Sequence, residues 1–292
     1  MFVMGQSCMT PVHLGISTCP NDTFAFHAIL KQKIDLRGLE FRIELLDVDE
    51  LNKRLLRGDF DVAKASFYAA LSLGAEVGVL PAGSALGFGV GPLLLAARPD
   101  TDPRHWPPVS ERLQARVLCP GEKTTATLLY RLFHAGEGDI EYRVFSEIMP
   151  ALKKRVADFG VCIHEGRFTW RDQGLFLVED LGESWEKTTS TPLPLGGIVA
   201  RHRLEPECLD TVKTVIKESV IYAVEHRDDT LETMRQYAQE LTDDVMFKHV
   251  DLYVNDWTVE LGVKGRAALA VLRRHAVSLG MLPGSAPPLR VF

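Results

Sequence analysis

The chain has 292 residues, 46% of them hydrophobic and 25% charged, a balance that suits a folded protein with room for two cores. A formal net charge of −6, a pI near 5.9 and the lack of a basic stripe argue against nucleic acid as a partner. No apolar run approaches the ~20 residues that cross a bilayer, so no membrane partner is expected.

Residues 1–10 carry neither a basic start nor the apolar core of a secretory signal, and are expected to be a disordered leader before the first strand. Five cysteines (Cys8, Cys19, Cys119, Cys162 and Cys208) are odd in number, scattered, and include no C-x-x-C pair. That pattern suits neither a disulfide framework nor a zinc site, and points to a reducing cytoplasm.

The first strand is expected over 13–17, followed by a polar turn over 18–23 and a helix over 24–33, with Pro20 suited to its first turn. Phe41, Ile43 and Leu45 alternate through a second strand, Leu39–Leu46. A helix over 48–56 places Leu51, Leu55 and Leu56 on one face and closes at Gly58. A third strand covers 61–65, and Ser66 then serves as N-cap of the next helix.

The same order returns. A strand over 115–118 leads through the turn 119–125 into a helix containing Leu128, Leu129 and Leu132. A strand over 140–145, a helix over 147–155 and a strand over 159–163 follow. The punctuation matches too. Cys19-Pro20 and Cys119-Pro120 lie 100 residues apart, and each third strand opens on Asp-Phe, at Asp59-Phe60 and Asp158-Phe159. Five elements in one order argue for two similar α/β lobes.

Between the lobes, 81–91 is glycine-rich and 92–97 reads as a buried strand, with a proline-bearing loop over 100–108. Later, 192–197 leads into an apolar strand over 198–200. These two strands are expected to be the crossings between lobes. Helices are expected over 209–226, 230–241, 244–254 and 265–280, the first strongly amphipathic. One lobe is therefore 1–98 with 199–292, the other is the insertion 99–198, and ligand lies between them.

Strand 159–163 stops at His164 and Glu165, and ligands in open α/β sheets sit beyond the carboxyl ends of strands. His164 is accordingly either a candidate base or a structural histidine. Each Cys-Pro turn opens a helix whose free N–H groups could take an anion, with plain capping as the alternative. Thr124 and Thr125 add hydroxyl donors, whereas Asp22 would repel an anion from the first turn. The run Gly121-Glu122-Lys123-Thr124 lacks the upstream glycine and the Gly-Lys pair of a Walker loop. Nor does Gly87-Phe88-Gly89-Val90-Gly91 match G-x-G-x-x-G. Cys162 and His164, two apart on a strand, would share a face but lack an orienting partner, so Cys162 reads as a small buried residue. No histidine pair has metal-ligand spacing, and no metal is expected.

Several runs in one order across nearly the whole chain resemble the 1,4-dihydroxy-6-naphthoate synthase family of the futalosine route to menaquinone. They include Ser17-Thr18-Cys19-Pro20-Asn21-Asp22-Thr23-Phe24, Lys64-Ala65-Ser66 and Pro120-Gly121-Glu122-Lys123-Thr124-Thr125. Ile163-His164-Glu165-Gly166-Arg167-Phe168-Thr169 and Pro192-Leu193-Pro194-Leu195-Gly196 extend the likeness, with Gly166 standing where the family leads one to expect serine. The resemblance implies a cytoplasmic carbon–carbon lyase of the periplasmic-binding-protein type 2 fold, with two α/β lobes joined by two hinge strands. Its substrate would be a small carboxylate-bearing molecule, cyclic dehypoxanthine futalosine. The proton-abstracting histidine of the family falls on His164, and its substrate contacts fall on Lys64, Ser66, Thr124 and Thr125. Such an elimination is driven by aromatisation and calls for no redox or metal cofactor. A chorismate dehydratase and a solute-binding transport protein share the fold and stand as alternatives. The oligomeric state stays open, since the C-terminal helices could complete a core or form a homodimer contact.

Overall fold

The computed structural model describes residues 10–97, 113–238 and 241–292. The expected leader and the proline-bearing loop over 100–108 lie outside the described residues, apart from Thr10. In chain order the strands are β1 (Thr10–Ser17), β2 (Leu39–Leu46), β3 (Val62–Ser66), β4 (Val77–Val79), β5 (Ala85–Gly87) and β6 (Leu93–Ala96). They continue as β7 (Arg116–Cys119), β8 (Asp139–Tyr142), β9 (Phe159–Cys162), β10 (Phe176–Asp180), β11 (Leu193–Arg201) and β12 (Arg290–Val291).

Two sheets result. One runs β12-β4-β11-β3-β1-β2, with β5 also on β11, and the other runs β10-β6-β9-β7-β8. In the first, β1 lies parallel between β2 and β3, and β3 takes antiparallel β11 on its other side. In the second, β7 lies parallel between β8 and β9, and β9 takes antiparallel β6. The repeated order of elements in the sequence is thus a repeated sheet topology.

Side-chain alternation fixes how each sheet is covered. Val12, Leu14 and Ile16 of β1 pack with Val212, Val215, Ile216 and Val220 from one face of the Pro206–Glu225 helix. On the opposite face Gly15 leaves no gap, because a Cβ there would sit 2.8 Å from Leu51 Cδ2 in the Val48–Arg57 helix. That helix is capped by Asp47, which accepts from Asp49 N at 2.8 Å, and it ends at left-handed Gly58 (φ +91°). All five residues of β3 are buried. Among the described residues no helix is long and apolar enough to cross a membrane.

Several expected boundaries moved. The helix expected over 24–33 starts at Pro20 and divides into Pro20–Ala25 and His27–Leu30. The expected strand over 140–145 ends at Tyr142, and Phe145 already opens the helix Phe145–Lys153. All of the 192–197 segment after Pro192 belongs to the nine-residue β11, Pro194 included, because Pro194 falls where β11 pairs irregularly with β5. The helix expected over 230–241 is Leu231–Tyr237 within the described residues, and the last long helix is Gly262–Ser278. The expected lobe division after 98 falls outside the described residues. Just before it, β6 hydrogen-bonds to β9 and β10 of the second sheet, and the expected return at 198/199 falls inside β11 of the first.

The crossing before β6 is braced by Arg167, which donates to Gly91 O at 2.7 Å and to Asp180 Oδ2 at 2.6 Å. Asp180 Oδ1 in turn caps the Leu181–Thr189 helix by accepting from Gly182 N and Glu183 N. Gly91 touches that helix backbone to backbone, so a Cβ on Gly91 would lie 2.1 Å from Gly182 Cα. Neither backbone can turn aside as a side chain would. Gly91→Ala is expected to cost about 1–3 kcal/mol of stability through overpacking. Urea unfolding should show the midpoint moved down at constant slope, and an unmoved midpoint would contradict the contact.

Candidate active site

A cavity of about 90 Å³ opens between the lobes, lined by Asp22, Lys64 and Ser66 from one side and Thr124, Thr125 and His164 from the other. Helix Asp243–Tyr253 closes it with His249 and Tyr253. The five residues singled out in the sequence therefore share one cavity.

His164 stands beyond the end of β9, which stops at Cys162 rather than 163. Its φ of +56° is left-handed, a conformation that costs an L-residue roughly 1–2 kcal/mol. The turn is held by Gly166 N donating to Ile163 O at 3.1 Å and Arg167 N to His164 O at 3.2 Å. This turn breaks the strand alternation, so Cys162 and His164 do not form a side-by-side pair. Cys162 is buried among Leu93, Leu95, Leu118 and Ile148, and burial pushes its thiol well above the ordinary range.

The sulfur that does meet His164 is that of Cys19, at 3.2 Å from Nδ1 and 3.5 Å from Nε2. Burial, and then the nearby Asp22 carboxylate, raise the Cys19 thiol well above its usual range, so it stays protonated. Phe145 meets the His164 ring edge-on at 4.8 Å between centroids. No hydrogen bond joins Glu165 to His164 among the described residues. Enclosure, followed by the positive charge of Lys64, lowers His164 to about 4. At neutral pH its imidazole is therefore uncharged and able to accept a proton.

Lys64 projects from the buried centre of β3 and donates to Asp22 Oδ1 at 2.5 Å, with Gly83 O 3.5 Å away. An ammonium buried here without a partner would cost several kcal/mol, and Asp22 offsets that cost. Asn21 Nδ2 donates to the same carboxylate oxygen at 2.8 Å, while Asp22 Oδ2 is buried without a hydrogen-bond partner. Asp22, expected to repel an anion from the first turn, is thus the partner of the buried Lys64 ammonium, which offsets its charge. Ser66 precedes the Phe67–Leu73 helix but makes no side-chain cap. Instead its Oγ accepts from Asn52 Nδ2 and its N–H donates to Asn52 Oδ1, both at 3.0 Å.

The second Cys-Pro turn does open a capped helix, Thr125–Phe133. Thr124 Oγ1 accepts from Thr127 N at 3.2 Å and donates to Gly121 O at 2.9 Å. Thr125 Oγ1 donates to Leu195 O at 2.7 Å. Both hydroxyl protons thus go to backbone carbonyls, contrary to the expectation that they are free donors. What remains for a ligand is the N–H groups of Thr125 and Ala126, which have no intrahelical acceptor. Left-handed Gly121 (φ +114°) brings this turn against the other lobe, where a Cβ would lie 2.1 Å from Asp49 Oδ1.

Sequence reasoning missed His249 and the service of Cys19. His249 had a signal: Met246, His249, Val250 and Tyr253 share the buried stripe of their helix, and only His249 carries ring nitrogens into it. Among the described residues no cluster of three or more histidine, cysteine or acidic side chains is arranged to hold a metal ion.

Two α/β lobes of matching topology, with a cavity between them, define a protein of the periplasmic-binding-protein-like class. An alkanesulfonate-binding protein of Xanthomonas axonopodis pv. citri has this fold with a TM-score of 0.72 at 14% identity, over 97% of this chain and 98% of its own. A protein of Archaeoglobus fulgidus superposes with a TM-score of 0.85 at 28% identity, covering 93% of this chain and 98% of that one. The family model described as menaquinone biosynthesis matches residues 12–278. The 1,4-dihydroxy-6-naphthoate synthase of Thermus thermophilus is 37% identical over 97% of this chain and all of its own length. The chain belongs to the 1,4-dihydroxy-6-naphthoate synthase family of menaquinone biosynthesis.

Proposed function

We propose that the chain is a carbon–carbon lyase that converts cyclic dehypoxanthine futalosine to 1,4-dihydroxy-6-naphthoate, with His164 as the base. The observation that carries this reading is an uncharged histidine, held in a strained turn, in the same interlobe cavity as an open helix N-terminus. His164 takes a substrate proton, and the electron pair this frees expels a sugar-derived fragment by breaking its carbon–carbon bond. That fragment takes up the bond's electrons and a proton, and aromatisation of the new ring drives the reaction forward. The substrate carboxylate accepts from the N–H groups of Thr125 and Ala126, where the helix contributes about half a positive charge. Lys64 and Ser66 contact the substrate from the other lobe. Four free cysteines among the described residues suit the reducing cytoplasm in which we place this activity.

Purified protein incubated separately with cyclic dehypoxanthine futalosine and with chorismate tests the reading. Naphthoate should form from the first and chorismate should persist. Consumption of chorismate, or binding of the cyclic compound without turnover, would overturn it. A product-bound structure with the carboxylate at Lys64 or Ser66 would reverse the proposed orientation.

The acid limb of kcat/KM follows from the same geometry. A base depressed to about 4 stays unprotonated through mildly acidic pH, so the limb should fall near 4 instead of near the 6.5 of a free histidine. A midpoint at 6.5, measured where the protein remains folded, would contradict His164 as the base.

A further inference from the structure

Beside the His164 turn lies a second histidine that the proposed reaction does not use. His249 is 1% exposed, and neither its Nδ1 nor its Nε2 meets a hydrogen-bond partner among the described residues. Its surroundings are rings: Tyr253 at 4.5 Å and Phe168 at 6.1 Å between centroids. The His164 ring lies 6.1 Å away and within 25° of parallel. His249 also lines the cavity.

A buried imidazole with both nitrogens unsatisfied is a cost to the folded state, since each group gives up water and gains no hydrogen bond in return. Packing does not require it, because an apolar ring would fill the same space without that cost. An unsatisfied polar group facing a ligand cavity is instead poised for a partner that arrives with the ligand. Burial, then the repulsion a second cation would meet from Lys64 and from a protonated His164, hold His249 far below the ordinary histidine range, so the ring is neutral. A neutral imidazole offers one donor and one acceptor, which matches a hydroxyl group, itself both donor and acceptor.

We propose that His249 is a substrate-contacting residue that hydrogen-bonds a hydroxyl of the substrate next to the centre on which His164 acts. This role rests on the proposed reaction. Through it the substrate oxygen is fixed beside the base, and a substrate without that hydroxyl would leave the ring unsatisfied.

His249→Phe keeps an aromatic ring and removes both nitrogens. Heat and urea unfolding of this variant should show stability unchanged or increased, because no protein hydrogen bond is lost. Its kcat/KM on cyclic dehypoxanthine futalosine should nevertheless fall by about 10–100-fold. His249→Asn and His249→Gln each return one polar position, and one of them should recover part of the loss. Wild-type kcat/KM in His249→Phe would overturn the role, as would a loss of activity that merely follows a loss of folded protein. If the wild-type protein itself makes no naphthoate, the proposed reaction fails and takes this role with it. An active wild type beside an unaffected variant removes the role alone.

Discussion

Replacing His164 by alanine should lower kcat by about 10²–10⁴-fold while substrate still binds. Binding survives because the proposed contacts at the helix N-terminus of Thr125 and at Lys64 and Ser66 do not use the imidazole. The residual rate reflects orientation in the closed cavity, which the substitution leaves in place. Alanine at φ +56° is strained much as histidine is, so the folded protein should change little in stability. Isothermal titration with the cyclic substrate and rapid-quench turnover separate the two effects. Near-wild-type kcat in the variant would end the assignment of His164 as base, and loss of binding in parallel would make it a ligand contact instead.

Lys64→Met should destabilise the protein by about 3–5 kcal/mol, because it leaves the buried Asp22 carboxylate without its cation. Asn21 still donates to Asp22 Oδ1, but Oδ2 remains unsatisfied, so the compensation is incomplete. The double variant Lys64→Met with Asp22→Leu removes both charges and should regain most of that stability. Activity should stay below that of the wild type, since Lys64 is also proposed to contact the substrate. Lys64 has a further effect through space. Its charge helps hold His164 down, so removing it should let the His164 pKa rise and carry the acid limb upward with it. Urea midpoints of the single and double variants measure the first effect, and a single variant as stable as wild type would show the pair to be dispensable.

Local patterns in the sequence carried far into this fold. Alternation in Leu39–Leu46, the stripe ending at Gly58 and the paired Cys-Pro turns are written within a few residues each, and period and capping chemistry read them directly. His27–Leu30 shows the limit: the chain leaves the helix at Phe26 and re-enters at His27, and no breaker residue marks that joint. Phe145 likewise looks like the end of an alternating strand and is the start of a helix.

The site divides the same way. His164, Ser66, Thr124 and Thr125 were legible because each sits where a strand ends or a helix begins, Lys64 lies two residues inside such an end, and the family resemblance runs through all five. Their partners were not. Cys19 meets His164 across 145 positions of chain, Lys64 finds Asp22 across 42, and Thr125 reaches Leu195 across 70. Thr124 and Thr125 look like free donors until the carbonyls of Gly121 and Leu195 come within reach. By itself, then, the sequence determined the order of elements, the duplicated lobes and which turns face the cleft, because short-range sterics and periodicity set these. Only the tertiary structure decided that Asp22 neutralises Lys64, that Cys19 abuts His164 and that His249 enters the cavity unsatisfied. Those outcomes depend on burial and on contacts between distant segments, which exist only once the lobes have closed around a common space.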